Sequence, residues 1–173
     1  MWHNKFMNSV IILRGPSGVG KSTISHKIQK KLGVNWTVID VDKFKHYMPM
    51  KEGQSNRAER SRIAHDVSKY FAKQMYDKGY DVILEEMYKK DYNDSIVEFL
   101  TQNNMSYLKV FLSAPVELVL ERAKAREKKV PDEEIRRHFS EIEAYPDDFV
   151  IDTTQYSSAE IANLIIQKLG DVE

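Results

Sequence analysis

The sequence predicts an α/β domain of three layers, a parallel sheet of about five strands with helices on both faces. Three observations predict it. Five short apolar runs recur along the chain, helix-period apolar stripes fill the stretches between them, and no repeat, linker or low-complexity tract divides the 173 residues. That length suits one domain, residues 1–173, and is too short for two of ordinary size.

The strand candidates are Val10-Ile11-Ile12-Leu13, Trp36-Thr37-Val38-Ile39, Val82-Ile83-Leu84, Tyr107-Leu108-Lys109-Val110-Phe111-Leu112 and Phe149-Val150-Ile151. Continuous apolar runs of this kind suit strands buried on both faces of a parallel sheet. After the first run, Ile24, Ile28 and Leu32 repeat at helical spacing, and Gly33 stands where a helix would end. Ala64, Val67, Phe71 and Met75 form a second stripe, closed by Gly79. A third helix starts after Ser113 with Pro115 in its first turn and carries Leu118, Val119 and Ala123. Pro131-Asp132-Glu133-Glu134 opens another, its acids placed at the positive end of the helix dipole. The last begins at Ser157, with Glu160 completing a capping box, and runs through Ile161, Leu164 and Ile165.

Composition narrows the function. Lysine plus arginine and aspartate plus glutamate both count 26, so the formal net charge is zero. A chain that grips long nucleic acid nonspecifically carries a basic excess, which is absent here. The absence of cysteine excludes disulfides, thiolate zinc sites and thiol catalysis, and suits a reducing compartment. Apolar runs reach only about 4–6 residues against the roughly 18–20 that span a bilayer. With no signal-like apolar stretch in Met1 to Phe6, the expectation is a cytoplasmic protein with no membrane partner.

Directly after the first strand, Gly15-Pro16-Ser17-Gly18-Val19-Gly20-Lys21-Ser22 satisfies G-x-x-x-x-G-K-[ST] at every fixed position, and Thr23 continues into the helix. Glycines let consecutive N–H groups turn inward onto phosphates, and the helix start adds partial positive charge. Lys21 is expected to reach the β and γ phosphates of ATP, and the Ser22 hydroxyl to bind Mg²⁺.

A phosphate loop names a nucleotide and leaves the reaction open. Asp40-Val41-Asp42 follows the second strand, at the carboxyl edge where ligands of such sheets bind. A carboxylate there serves as general base for an attacking hydroxyl, holds magnesium, or merely caps the short helix around Phe44 to Tyr47. Glu85-Glu86 ends the third strand, and because neighbouring residues face opposite sides only one points at the nucleotide. That one is a magnesium candidate, and a solvated acid pair is the plain alternative. Arg122 and Arg126 are spaced i, i+4 and share a helix face that leads into the charged run Arg126-Glu127-Lys128-Lys129. They suit charge neutralisation on a moving phosphoryl group, or else salt bridges to Glu121 and Glu127.

With these pieces in order, the chain resembles the P-loop kinases that phosphorylate small hydroxylated molecules or nucleic-acid 5′ ends. The stretch from Val41 to Pro49 and the tail from Phe149 to Thr154 look like the corresponding parts of chloramphenicol phosphotransferase. Glu121-Arg122-Ala123-Lys124-Ala125-Arg126 through Val130-Pro131 resembles the lid of the bacteriophage polynucleotide kinase domain. The resemblance implies a P-loop NTPase fold with a short helical lid at about 122–137. It implies Asp42 as general base, Arg122 and Arg126 as lid residues on the phosphates, and Asp152, Thr153 and Thr154 near the adenine end. It leaves Ser22, Asp40 and Glu85 as the metal candidates, although one relative has two aspartates and the other a serine and an aspartate where this chain has Glu85-Glu86.

The expected activity is transfer of the γ-phosphoryl group of Mg-ATP to a hydroxyl of a small molecule, bound between Lys43 to Asn56 and Met87-Tyr88. The alternatives are a polynucleotide 5′-hydroxyl, a sugar nucleotide as in zeta-toxin-type kinases, and a nucleotide-binding regulatory domain without turnover. A GTPase would need an Asn-Lys-x-Asp guanine reader after a late strand, and none is present.

Overall fold

Every residue of β1 (Ser9–Arg14) is buried, which places this strand in the middle of the molecule. The computed structural model describes residues 8–49, 56–124 and 130–171. With β2 (Trp36–Asp40), β3 (Asp81–Glu85), β4 (Ser106–Ser113) and β5 (Phe149–Asp152), β1 forms one parallel sheet in the order β2-β3-β1-β4-β5. Successive β1 side chains face opposite ways and so feed two cores. Ile11 and Leu13 pack with Ile24 and Ile28 of α1 (Lys21–Leu32) and with Ile161 and Ile165 of α7 (Ser158–Gly170). Val10 and Ile12 pack with Ala64 and Ala72 of α3 (Arg57–Asp77) and with Ile96 and Leu100 of α4 (Lys90–Gln102). The expected three layers follow.

Register aligns the functional edge. Leu13 and Asp40 both pair with Glu85, and Ser113 pairs with Asp152, so the carboxyl ends of the strands finish at one level. The short α2 (Val41–His46) leaves β2 there, and α5 (Val116–Lys124) leaves β4. A small third core of Val119, Leu120, Ala123 and Ile135 joins α5 to α6 (Asp132–Ser140). No helix among the described residues is long and apolar enough to cross a membrane.

The Ser157 capping box forms with both of its hydrogen bonds. Two expectations need correction. The buried face of α3 is Ala64, His65, Ser68 and Ala72, while Val67 and Phe71 are each 43% exposed. The stripe from Ala64 through Val67 and Phe71 to Met75 has the right period and the wrong phase. His65 and Ser68 tolerate burial because Ser61 and His65 carbonyls accept from their side chains. The helix α4 lies in a stretch for which the sequence suggested no element, although Ile96, Leu100 and the half-buried Tyr92 supply its apolar face.

Candidate active site

The phosphate loop closes on backbone geometry. Gly15 has φ 145°, and a Cβ there would lie 2.5 Å from the Leu112 carbonyl oxygen. Gly18 has φ 90°, and its Cβ would meet Val119 at 2.6 Å. Side chains are excluded at both turns by conformation and by space. Gly20 caps α1 in the left-handed region, and Lys21 folds back over the loop to donate to the carbonyls of Gly15 (2.8 Å) and Pro16 (3.1 Å). Burial lowers the pKa of Lys21, against the opposing pull of Glu86, Asp42, Glu85 and Asp40. Four carboxylates therefore lie within electrostatic reach of one ammonium at the head of α1.

The pleat at the end of β3 separates the two glutamates. Glu85, buried, accepts from Ser22 Oγ through Oε1 at 2.7 Å and from Ser25 Oγ through Oε2. Glu86 turns toward α2, where Oε1 accepts from Lys45 Nζ at 3.0 Å and Oε2 accepts from the amides of Met87 and Tyr88. Asp40 caps α2, accepting from the Asp42 amide at 3.0 Å, and burial, then Glu85 and Asp42, raise its pKa. The capping reading of Asp40 is the one the geometry shows. Asp42 Oδ1 accepts from Lys45 Nζ at 2.6 Å. Withdrawal from solvent pushes its carboxyl up, but the Lys45 hydrogen bond and charge, with Lys21 and His65 behind them, prevail and hold it below the usual carboxylate range.

Lys45, in the stretch expected to line the acceptor pocket, is the charged bridge from Asp42 to Glu86. Burial works against its charge, yet Glu86 and Asp42 outweigh that and raise its pKa. His65 behind it was missed entirely. It is buried, stacked on Tyr92 with centroids 3.7 Å apart and edge-on to Tyr88, and burial lowers its pKa. Sequence period alone read its helix face one residue out. His46 is bound to the Asp42 carbonyl, and Phe44 packs edge-on against Phe71.

On the far side, Arg122 of α5 donates to Thr153 Oγ1 at 3.5 Å, Thr153 bonds through its amide to the Ser113 carbonyl, and Asp152 caps the turn through the Thr154 amide at 2.8 Å. The proposed lid arginine and the proposed adenine-end turn are therefore brought together. Arg126 lies outside the described residues, as do residues 50–55 of the expected acceptor pocket.

The profile of the AAA domain family matches residues 10–149. The chain belongs to that family. An L-seryl-tRNA(Sec) kinase of Methanococcus maripaludis is 25% identical, the match covering 91% of this chain and 65% of that protein, so the chain spans just under two thirds of that relative's length. Among solved structures, the APS kinase of Mycobacterium tuberculosis in complex with AMPPNP and APS superposes with a TM-score of 0.76 at 18% identity over 95% of this chain and 98% of that one. The tunicamycin resistance protein of Deinococcus radiodurans gives 0.73 at 17% identity, over 94% and 96%. The fold is that of the P-loop kinases, which implies nucleotide binding.

Proposed function

We propose that this member of the AAA domain family is an ATP-dependent kinase that transfers the γ-phosphoryl group to an alcohol hydroxyl of a small molecule, with Asp42 as general base. The observation that carries the reading is an exposed Asp42 carboxylate in the first turn of α2, bound to Lys45 at 2.6 Å and within electrostatic reach of Lys21 at the phosphate loop. A carboxylate base at the phosphate loop is what an incoming hydroxyl needs.

In this mechanism the loop from Gly15 to Ser22 and Thr23 holds the ATP phosphates, and the turn at Asp152, Thr153 and Thr154 borders the adenine. Asp42 accepts the acceptor's hydroxyl proton as its oxygen forms a bond to the γ-phosphorus, and the bond to the β–γ bridging oxygen breaks to release ADP. Lys21 exchanges the Gly15 and Pro16 carbonyls for phosphate oxygens and neutralises developing charge, with Arg122, and Arg126 beyond it, as the lid's contribution. Ser22 and Glu85 present hard oxygens 2.7 Å apart, with Asp40 paired to Glu85 across β2 and β3. That set would hold a magnesium ion that keeps most of its water. When bound, Mg²⁺ supplies positive charge across the β and γ phosphates.

The relative named for seryl-tRNA supports a second acceptor class, a hydroxyl presented on RNA. Zero net charge favours the small molecule. The test is Mg-ATP consumption across hydroxylated small molecules, 5′-hydroxyl oligonucleotides and seryl-tRNA, with Lys21→Ala as the blank. Turnover that depends on one acceptor and on Lys21 supports the kinase and names its substrate. Tight ATP binding with no acceptor-dependent turnover overturns it in favour of a regulatory domain.

A further inference from the structure

The last residue of β1 is an arginine with no side-chain exposure at all. Its four predecessors are Val10, Ile11, Ile12 and Leu13, and Gly15 of the phosphate loop follows it. The Arg14 guanidinium donates from Nη1 to Asp148 Oδ2 at 2.6 Å, and from Nη2 to the carbonyls of Glu143 (2.9 Å) and Tyr88 (3.4 Å). It lies over the Tyr145 ring at 4.2 Å and the Phe111 ring at 5.1 Å. Asp148, equally buried, accepts from the Tyr145 amide at 2.7 Å. One planar fork thus holds three pieces of chain: the strand that feeds the phosphate loop, the turn after β3, and the segment 141–148 between α6 and β5.

The turn after β3 leads to the proposed base, and the segment 141–148 ties α6 to α3 and to the head of α4. Tyr88 sits at φ 49°, a conformation unusual for a residue with a side chain. Its amide is held by Glu86, which is bound through Lys45 to Asp42, while its carbonyl is held by Arg14. The segment 141–148 continues from α6, whose Glu134 pairs with Arg57 of α3 and whose C-cap Glu141 pairs with Lys89 at the head of α4. A fully buried ion pair is a poor device for stability alone, since two apolar residues of similar volume are often as good or better. Its planar, multidentate geometry is what an apolar pair cannot reproduce.

We infer that Arg14 is a positioning residue for phosphoryl transfer, fixing the turn that carries Glu86 and the segment 141–148 against the phosphate loop. This role rests on the kinase reading above. Phosphoryl transfer depends chiefly on alignment, so the loss of Arg14 acts on turnover more than on nucleotide affinity.

The test is Arg14→Met/Asp148→Leu, which puts an apolar side chain against the Phe111 and Tyr145 rings and leaves Lys109, 3.7 Å from Asp148, on Asp147 at 2.6 Å. Four measurements are made: thermal melting, titration with Mg-AMPPNP, steady-state Mg-ATP hydrolysis with water as acceptor, and amide hydrogen exchange at residues 86–90 and 141–148. The expected result is melting near that of the parent, Mg-AMPPNP affinity and KM for ATP within about threefold, kcat lower by about tenfold to a hundredfold, and faster exchange at both segments. Unchanged kcat and exchange at both segments overturn the role and leave the pair as packing. If the double variant does not fold, Asp148→Asn keeps the shape and one acceptor oxygen, and the same split between kcat and KM decides. A parent protein that fails to bind Mg-AMPPNP sinks the kinase reading and the role of Arg14 with it, whereas normal binding by a parent and an unaffected variant sinks only the latter.

Discussion

The two sides of the candidate active site are built from different materials. On the nucleotide side, glycine backbone, a strand with no exposed residue and a helix start set the shape, and a side chain at Gly15 or Gly18 would collide with Leu112 or Val119. On the acceptor side, shape is set by side-chain charge: Asp42, Lys45 and Glu86 hold one another, and Glu86 in turn pins the turn at Met87 and Tyr88. A backbone-built site is the same for any nucleotide user of this fold. A site built from side chains can be re-specified by a few substitutions without disturbing the sheet.

The sharpest break between the sides is Lys21→Ala, expected to reduce acceptor-dependent ATP turnover by about 10³-fold or more because both nucleotide contact and charge stabilisation are lost. It is read as ATP consumption against the parent. Asp42→Asn should lower turnover by about 10²-fold or more while Mg-ATP affinity, measured by titration, stays within about twofold. An equal loss of affinity would erase the distinction between the sides. Gly15→Ala tests the backbone side through stability: a strained φ and the contact with the Leu112 carbonyl should cost about 1–3 kcal/mol, a fall in Tm of roughly 2–4 °C per kcal/mol. The gentlest probe is Lys45→Met on the charged side. In the parent, Lys45 holds the Asp42 carboxyl below the usual aspartate range, so the acid limb of kcat/KM is expected to lie below that range. Without Lys45 the upward push of burial has less opposing it, so the acid limb moves to higher pH. A pH–rate profile with an unmoved acid limb would remove Lys45 from control of the base.

The same division explains what could be read in the residues. The phosphate loop, the five strands and the Ser157 capping box rest on neighbours in sequence, and they are legible as such. The choice between Glu85 and Glu86 needed the pleat and register of β3 against β1 and β2, which place Glu85 beside Ser22. Lys45 and Glu86 are 41 positions apart, and nothing local announces their contact. Arg14 reads as the polar end of a strand until Asp148, 134 positions on, is brought to it. The face of α3 was misjudged because His65 and Ser68 look solvent-facing by type, and only their bonds to helix carbonyls make burial tolerable.

Lys21 in its resting position has a thermodynamic consequence. Its ammonium is withdrawn from water and lodged on two peptide oxygens, so the work of stripping its hydration is done when the chain folds and not when ATP arrives. Nucleotide capture is then an exchange of oxygen partners at a dry ammonium. The same ammonium is the countercharge to Glu86, Asp42, Glu85 and Asp40, so Lys21→Met is expected to leave four carboxylates repelling one another and to lower the melting temperature as it removes the chemistry.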